Sequence, residues 1–403
     1  MNQRIYLDHA ATTPVDPRVV AAMLPCWTEH WGNPSSIYEE GQDARKTLDM
    51  ARRQVADVLG ADPDEIVFTA GGSEADNFAL RGVAEALRGT ANHIVTTAIE
   101  HHAVLHACER LAQDGFEVTF LPVDGEGFVT PDQVAAAVTE RTALVSVMYA
   151  NNEVGTVEPI ADITRAVKAK NSRTLVHTDA VQAAGALDLN VQRLGVDLLS
   201  LAAHKIYGPK GTGVLYLRAG APFRPQLLGG SQERDRRAGT ENVAGAVGMA
   251  TALRLATDEF EERTAHSRAL RDLLLREVPR RIPYTHVNGP QDPARRLANN
   301  ASFCFEFIEG EALLLLLDLN GIAASSGSAC TSGSLEPSHV LSAMGVPPEI
   351  ARSSLRLSVG RSNTQEQIER LLELLPAFVE RLRALSPLSP AVPSTDALAT
   401  GTS

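Results

Sequence analysis

Short apolar runs separated by longer amphipathic stretches set the texture of this chain. Residues 65–69, 93–97, 117–121, 143–148 and 174–177 are β-compatible runs that predict strands, as do 196–201 and 214–217. Between them, 74–87, a segment starting near His102, 131–138 and 160–170 have helical period. Strands alternating with helices imply βαβ units, a mostly parallel sheet and right-handed crossovers. Ahead of this region, residues 1–14 read as an extended lead-in, and Pro17 after Asp16 predicts a helix start. Residues 31–36 read as a loop. Residues 44–59 form a periodic segment that stops at Gly60.

After about residue 255 the pattern changes. A charged helix over 258–277 reads as a connector. A strand near 302–307, a leucine-rich helix over 310–319, a Ser/Gly loop, a strand at 354–359 and an amphipathic helix over 364–385 follow. The expected organisation is a large α/β domain over 15–257 and a smaller α+β domain built from 1–14 and 258–385. The Pro/Ser/Thr-rich tail 386–403 is expected to be disordered. No internal repeat is visible.

Composition narrows the function. The 403 residues are 44% hydrophobic and 21% charged, as in an ordinary globular protein. A formal net charge of -12 argues against a nucleic-acid binder and against an anionic membrane surface. The first residues carry no apolar secretory stretch, and the longest apolar run, 312–317, is far too short to span a bilayer. The four cysteines, Cys26, Cys108, Cys304 and Cys330, are widely spaced, which fits a reducing cytoplasm better than a disulfide framework or a zinc knuckle.

Candidate chemistry collects just after the strands. Lys205 follows the run 196–201 beside His204, and three glycines and a proline then force a turn. Such a lysine can form a Schiff base with an aldehyde cofactor, or be a solvated loop residue. Gly71-Gly72-Ser73-Glu74 joins a strand to a helix, which suits either a phosphate or an ordinary N-cap. Neither a P-loop nor a dinucleotide fingerprint occurs. His101 can stack on a planar cofactor and move protons as a catalytic group, or simply start a helix. His102 and His106 share a helix face, but the rest of a zinc pattern is missing. Asp179 can hold a ring nitrogen protonated or cap a helix, and Gln182 can bond a ring hydroxyl.

Ser73, His101, Asn152, Asp179, Gln182 and Lys205 all follow strands, where ligands gather in open parallel sheets. Cys330, in a loop of small polar residues, is expected to be an exposed nucleophile, and Cys304 between two phenylalanines a buried structural cysteine. Arg356 among apolar neighbours needs a carboxylate, from a substrate or from an internal salt bridge. By itself the mixed-charge stretch 233–240 reads as solvated surface.

Taken together, these segments resemble the cysteine desulfurases, pyridoxal-phosphate enzymes of the aminotransferase fold. The resemblance runs from residue 5 to about 365. It is carried by Tyr6-Leu7-Asp8, Ala10–Pro14, Gly32–Ser36, Phe68–Asn77, Glu100-His101, Asn151–Glu153, Asp179–Gln182, His204–Gly211, Arg237–Asn242 and Ser325–Pro337. The loop Ser325–Gly333 is similar to the subgroup with a long mobile cysteine loop. Arg237–Asn242 and Ser334–His339 look most like the nitrogen-fixation type, with the housekeeping iron–sulfur type close behind.

The resemblance implies a fold type I enzyme that binds pyridoxal 5'-phosphate. In it Lys205 holds the cofactor as a Schiff base and later moves a proton. Gly72, Ser73 and His204 hold the phosphate, and His101 stacks on the ring. Asp179 pairs with the ring nitrogen, and Asn152 and Gln182 bond the cofactor. Arg356, with Asn152, binds the carboxylate of L-cysteine. Cys330 takes the substrate sulfur as a persulfide, leaving alanine, and passes it to an iron–sulfur scaffold protein. The same residue is a candidate transient ligand of an iron–sulfur cluster shared with that scaffold. Thr240 is implied to reach the phosphate in the partner subunit of a homodimer. There is one departure: the family usually has serine two residues before the histidine, and here the position is Ala202. One side-chain hydrogen bond to the phosphate is then absent, a loss of about 1 kcal/mol.

Overall fold

The computed structural model describes residues 4–327 and 337–387. Strand β1 (Ile5–Tyr6) opens the chain. The central sheet follows, made of β2 (Ile66–Thr69), β3 (His93–Thr97), β4 (Glu117–Leu121), β5 (Thr142–Ser146), β6 (Leu175–Asp179), β7 (Leu198–Ala202) and β8 (Gly213–Leu217). Its order is β2-β8-β7-β6-β5-β3-β4. Only β8 runs against its neighbours β2 and β7, so the sheet is mostly parallel, as the alternation of elements predicts.

Side-chain alternation along the central strands assigns the two faces. Val145, Val176, Leu199 and Leu201 pack into one apolar cluster, against the helices Glu39–Leu59, Ile160–Lys170 and Val243–Asp258. Leu144, Leu175 and Leu198 pack on the other face, under the helices Gly72–Leu87 and His102–Gln113. By the same alternation, Ser146, His177, Asp179, Ser200 and Ala202 point toward this second face. A row of polar groups therefore lies under the helix Gly72–Leu87.

The C-terminal part has its own sheet. It contains β9 (Thr285–Val287), β10 (Asn300–Phe305) and β12 (Ser354–Ser358) in antiparallel order β12-β10-β9. The short strand β11 (Ile322–Ala323) pairs in parallel with β1. Ile5 and Leu7 join Phe303, Phe305, Leu355, Leu357, Leu371 and Leu375 in a third apolar cluster, so the N-terminal lead-in packs with residues from the far end of the chain.

Two expectations change. The charged stretch over 258–277 belongs to two helices, Val243–Asp258 and Phe260–Arg281, which break at Glu259. Glu259 turns out of helical geometry, and its carboxylate bridges Arg18 and Arg263. The 233–240 stretch is not simply solvated surface. Glu233, Arg234 and Asp235 all take left-handed backbone geometry, with φ of 47°, 56° and 62°. That bend drives Glu233 inward, where it accepts from Arg52 Nη1 and Nη2 at 2.7 Å each and from Phe68 N at 3.0 Å. Both partners are almost fully buried. Arg52 Nη1 also donates to Ile66 O at 2.7 Å, while Nε has no partner among the described residues, so the bidentate contact carries most of what offsets the burial of this pair.

Candidate functional site

The carboxyl ends of β2, β3, β5, β6 and β7 surround one cavity of about 410 Å³. Lys205 reaches it from a single 3-10 turn, Ala203–Lys205, directly after β7. The lead-in wraps this turn. Thr13 N and Thr13 Oγ1 both donate to His204 O at 2.9 Å. Lys205 Nζ donates to the carbonyls of Ala10 and, at 2.8 Å, Ala11. Tyr207 then takes φ 66°, an uncommon conformation for a non-glycine residue. Its surroundings hold it there: Tyr207 N donates to Thr13 Oγ1, Arg361 N donates to its hydroxyl, and the guanidinium groups of Arg361 and Arg263 lie over its ring.

Across the cavity, the helix Gly72–Leu87 presents its N-terminus, with Gly72 and Ser73 lining the wall. Added to Gly72, a Cβ would lie 2.9 Å from Val181 Cγ2 and 3.5 Å from Ala202 Cβ, so a side chain there would fill this end of the cavity. A helix N-terminus with bare amides and a serine hydroxyl is an anion cradle. From it an open cleft continues past Thr12, Gly71, His204 and Lys210. Ala202 lines the cavity and is buried, and its methyl group adds no donor.

Asp179, the last residue of β6, forms part of the floor. It accepts from Val181 N at 2.9 Å. Burial pushes its carboxyl up to about 6, and the Val181 amide and the Lys205 charge oppose that shift. His101 caps the helix His102–Gln113, with Nδ1 accepting from Ala103 N at 3.1 Å. Burial first, then the Lys205 charge, lowers its pKa to about 4, so the ring is neutral near pH 7. With Nδ1 accepting, the ring proton sits on Nε2. His204 is likewise lowered to about 4 by burial and then Lys205 and Lys210, and its Nδ1 lies 3.1 Å from Thr12 Oγ1. Gln182 Nε2 donates to Ala10 O, and Asn152 lines the wall.

Arg356, in the middle of β12, also enters this cavity. Its side chain is 3% exposed and pairs with Asp8 at 2.7 Å, while Nη1 donates to Asn152 O at 3.0 Å. The internal salt bridge weighed for Arg356 therefore exists, and its partner is the aspartate of the Tyr6-Leu7-Asp8 motif. Thr240 is not brought to the cavity within a single chain. It is exposed and lines a separate pocket with Thr69, Gly211 and Arg237. Cys330 lies outside the described residues. Cys304 is fully buried, as its phenylalanine neighbours predict.

Sequence reasoning missed several contributors. Asp8 and the Ala10 and Ala11 carbonyls had no chemical signature. His177 and Asp76 did have one: each is a polar group on an apolar face. His177 contacts the hydroxyls of Ser146 and Ser200 at 2.9 and 3.0 Å, and Asp76 lines the cavity floor. His102 stacks on His106 and lies tilted against His339 near the rim, and His339 Nε2 contacts Glu100 O.

A doubly wound α/β sheet with a lysine, an acid and an anion cradle at its carboxyl edge defines a fold type I transferase. The family model "Aminotransferase class-V" matches residues 5–371. "Cysteine desulfurase IscS" of Methanosarcina thermophila is 54% identical over 389 residues, 96% of this chain and 95% of that one. Among solved structures, a "NIFS-LIKE PROTEIN" superposes with a TM-score of 0.88 at 41% identity, covering 94% of this chain and 100% of that one. A structure titled "SspA in complex with cysteine" superposes with a TM-score of 0.78 at 34% identity, covering 89% and 100%. The chain belongs to the class-V aminotransferase family, and within it to the cysteine desulfurases.

Proposed function

We propose that the protein converts L-cysteine to L-alanine and collects the sulfur on Cys330 as a persulfide, using pyridoxal 5'-phosphate bound in the cavity beside Lys205. The observation that carries this reading is the convergence of Lys205, Asp179, His101 and the Gly72–Ser73 helix N-terminus on one cavity. Those residues fit the cofactor's chemistry: an amine for its aldehyde, an anion cradle for its phosphate, and a buried acid for its ring nitrogen. When bound, the cofactor supplies a sink for the electron pair released at the substrate α-carbon.

The chain's own groups do the rest. Ser73, the amide groups at Gly72 and His204 bind the phosphate. Asp179 holds the ring nitrogen protonated, Gln182 and Asn152 orient the ring, and neutral His101 covers it. Arg356, kept straight by Asp8, binds the substrate carboxylate. Lys205 Nζ moves the α-proton. Cys330 then attacks the substrate sulfur: an S–S bond forms, the carbon–sulfur bond breaks, and the carbon keeps the electron pair and is protonated, giving alanine. No external oxidant is needed, because the thiol and cysteine together become persulfide and alanine.

The same reading makes the protein a homodimer, with Thr240 reaching the partner's phosphate site. It donates sulfur to an iron–sulfur scaffold protein. Three free buried thiols, Cys26, Cys108 and Cys304, support a reducing, cytoplasmic setting. The IscS name of the 54% identical relative favours general iron–sulfur supply over the nitrogen-fixation role expected from the sequence.

The test is a pair of variants. Purified protein should be yellow and borohydride-reducible, and Lys205→Ala should lose both properties. Cys330→Ala should keep the colour but lose persulfide formation from cysteine. Undiminished sulfur release in Cys330→Ala would sink the mechanism, and a colourless wild-type protein that no added cofactor colours would sink the site.

A further inference from the structure

The floor of the cavity holds a second carboxyl group beside Asp179. Asp76 lies one turn into the helix Gly72–Leu87, on the face where Ala75, Phe78, Ala79, Leu80 and Val83 are buried. An acid in that position is costly unless something holds its charge or it carries a proton. Asp76 is 1% exposed, and among the described residues no lysine or arginine pairs with it. Among the described residues its Oδ1 has no hydrogen-bond partner, and the basic atom beside it is His177 Nε2 at 3.7 Å. That histidine is no counter-ion: burial lowers it to about 3, and its two nitrogens face the hydroxyls of Ser146 and Ser200. Glu100, which comes near from the end of β3, is another buried acid, engaged with Thr97 Oγ1 and Met148 N.

Asp179 differs in two respects. It accepts an N–H bond from Val181, and Lys205 faces it as a cation, whereas Asp76 has only the Ser200 hydroxyl to favour its charge. Two carboxyl groups in one dry site cannot both ionise cheaply, and the charge settles where donors and cations already point.

We propose that Asp76 carries the proton of this carboxyl pair and so keeps the negative charge on Asp179, making Asp76 a positioning residue for the floor. The pKa directions agree. Burial and then the Asp179 charge push Asp76 well above the usual carboxylate range, with the Ser200 hydroxyl opposing and Glu100 adding to the rise, whereas Asp179 rises only to about 6. The inference rests on Asp179 being the ring-nitrogen acid, and it explains how that acid stays ionised at the bottom of a dry cavity.

The experiment is carbon-13 NMR of the full chain, cofactor-free, with aspartate labelled at Cγ. Asp76→Asn and Asp179→Asn assign the two signals. The Asp76 signal should titrate about one pH unit or more above the Asp179 signal. In Asp179→Asn the Asp76 midpoint should fall, because the charge that raises it is gone. In Asp76→Asn the Asp179 midpoint should stay nearly in place, because Asp76 is already neutral where Asp179 titrates. An Asp76 signal titrating in the ordinary aspartate range or below Asp179 overturns the proposal even if one variant fails to fold, and so does an Asp179 midpoint that falls by about a pH unit or more in Asp76→Asn. In the cofactor-loaded protein, Asp76→Asn should leave the pH midpoint of the cofactor's absorbance band in place, and a midpoint that shifts counts against it. The cofactor-free titration stands apart from the borohydride test, so failure of one is distinguishable from failure of the other.

Discussion

The floor and the rim of the cavity are built in different ways. The floor comes from three adjacent strands and one helix: Ser146, His177, Asp179 and Ser200 share a sheet face under Asp76. Its groups are buried and held by short bonds within the ladder. The rim is assembled from remote pieces. Asp8 meets Arg356 across 348 residues, and His339 meets Glu100 across 239. A ladder fixes side chains by register, whereas the rim depends on sequence-remote segments meeting in shared apolar clusters, Leu7 with Leu355 and Leu357 and Ile99 with Val340. The floor is therefore suited to holding charge and the rim to selecting substrate.

The division is broken most directly at Asp179. With the acid replaced by its neutral isostere, Asp179→Asn should lower kcat by about 10²- to 10³-fold, with a smaller change in KM. Steady-state kinetics on cofactor-saturated protein decides it, and a pure KM effect would erase the distinction. At the rim, Arg356→Gln should raise KM for cysteine about ten- to a hundredfold, the loss expected for a charge-assisted bond of ~1.5–3 kcal/mol. An equal fall in kcat there would place Arg356 with the floor.

Glu100 joins the two regions, since its carboxyl bonds Met148 N behind the floor and its carbonyl meets His339 at the rim. Burial raises its pKa from 4.5 to about 8. The folded state thus binds its proton more tightly than the unfolded state. Its stabilising contribution is full below 4.5 and is lost as pH rises through about 8. Glu100→Gln should flatten the decline in stability across that window by up to about 1.4 kcal/mol per pH unit, read from urea midpoints. A slope unchanged from wild type would mean that Glu100 titrates elsewhere. The smallest effect is expected from Ala202→Ser. A hydroxyl restored beside Gly72 should tighten cofactor retention about fivefold, from ~1 kcal/mol, measured by dialysis against the apo-protein. Weaker retention would mean that the methyl group packs better than a hydroxyl bonds.

Most of the floor was legible because it follows local rules. Alternation placed the strands, and residues just past their carboxyl ends became candidates, which brought Ser73, His101, Asn152, Asp179, Gln182 and Lys205 into one cavity. Asp76 and His177 were equally readable as polar residues at apolar positions, and only attention to the buried face of each element was needed to find them. The Asp8–Arg356 pair was not readable. Neither residue signals its partner, and the pairing exists because the segment after β1 bridges the end of β12, Asp8 against Ser358, with Ser358 N donating to Leu7 O at 2.8 Å. Glu233 failed for a different reason. Three consecutive left-handed residues, none of them glycine, turn a charged stretch inward toward Arg52. Propensity gives no warning of that, since the buried ion pair itself holds the backbone there.

By itself, then, the sequence determined the alternating α/β plan, the family and the list of residues at the strand ends. These depend on side-chain period and on short motifs, which act over a few residues. Tertiary structure decided which acid keeps the charge, what holds Lys205 and Arg356, and where Glu233 points. Those outcomes depend on burial and on partners hundreds of residues away, because the cost of a charge is set by the surroundings the whole fold builds around it.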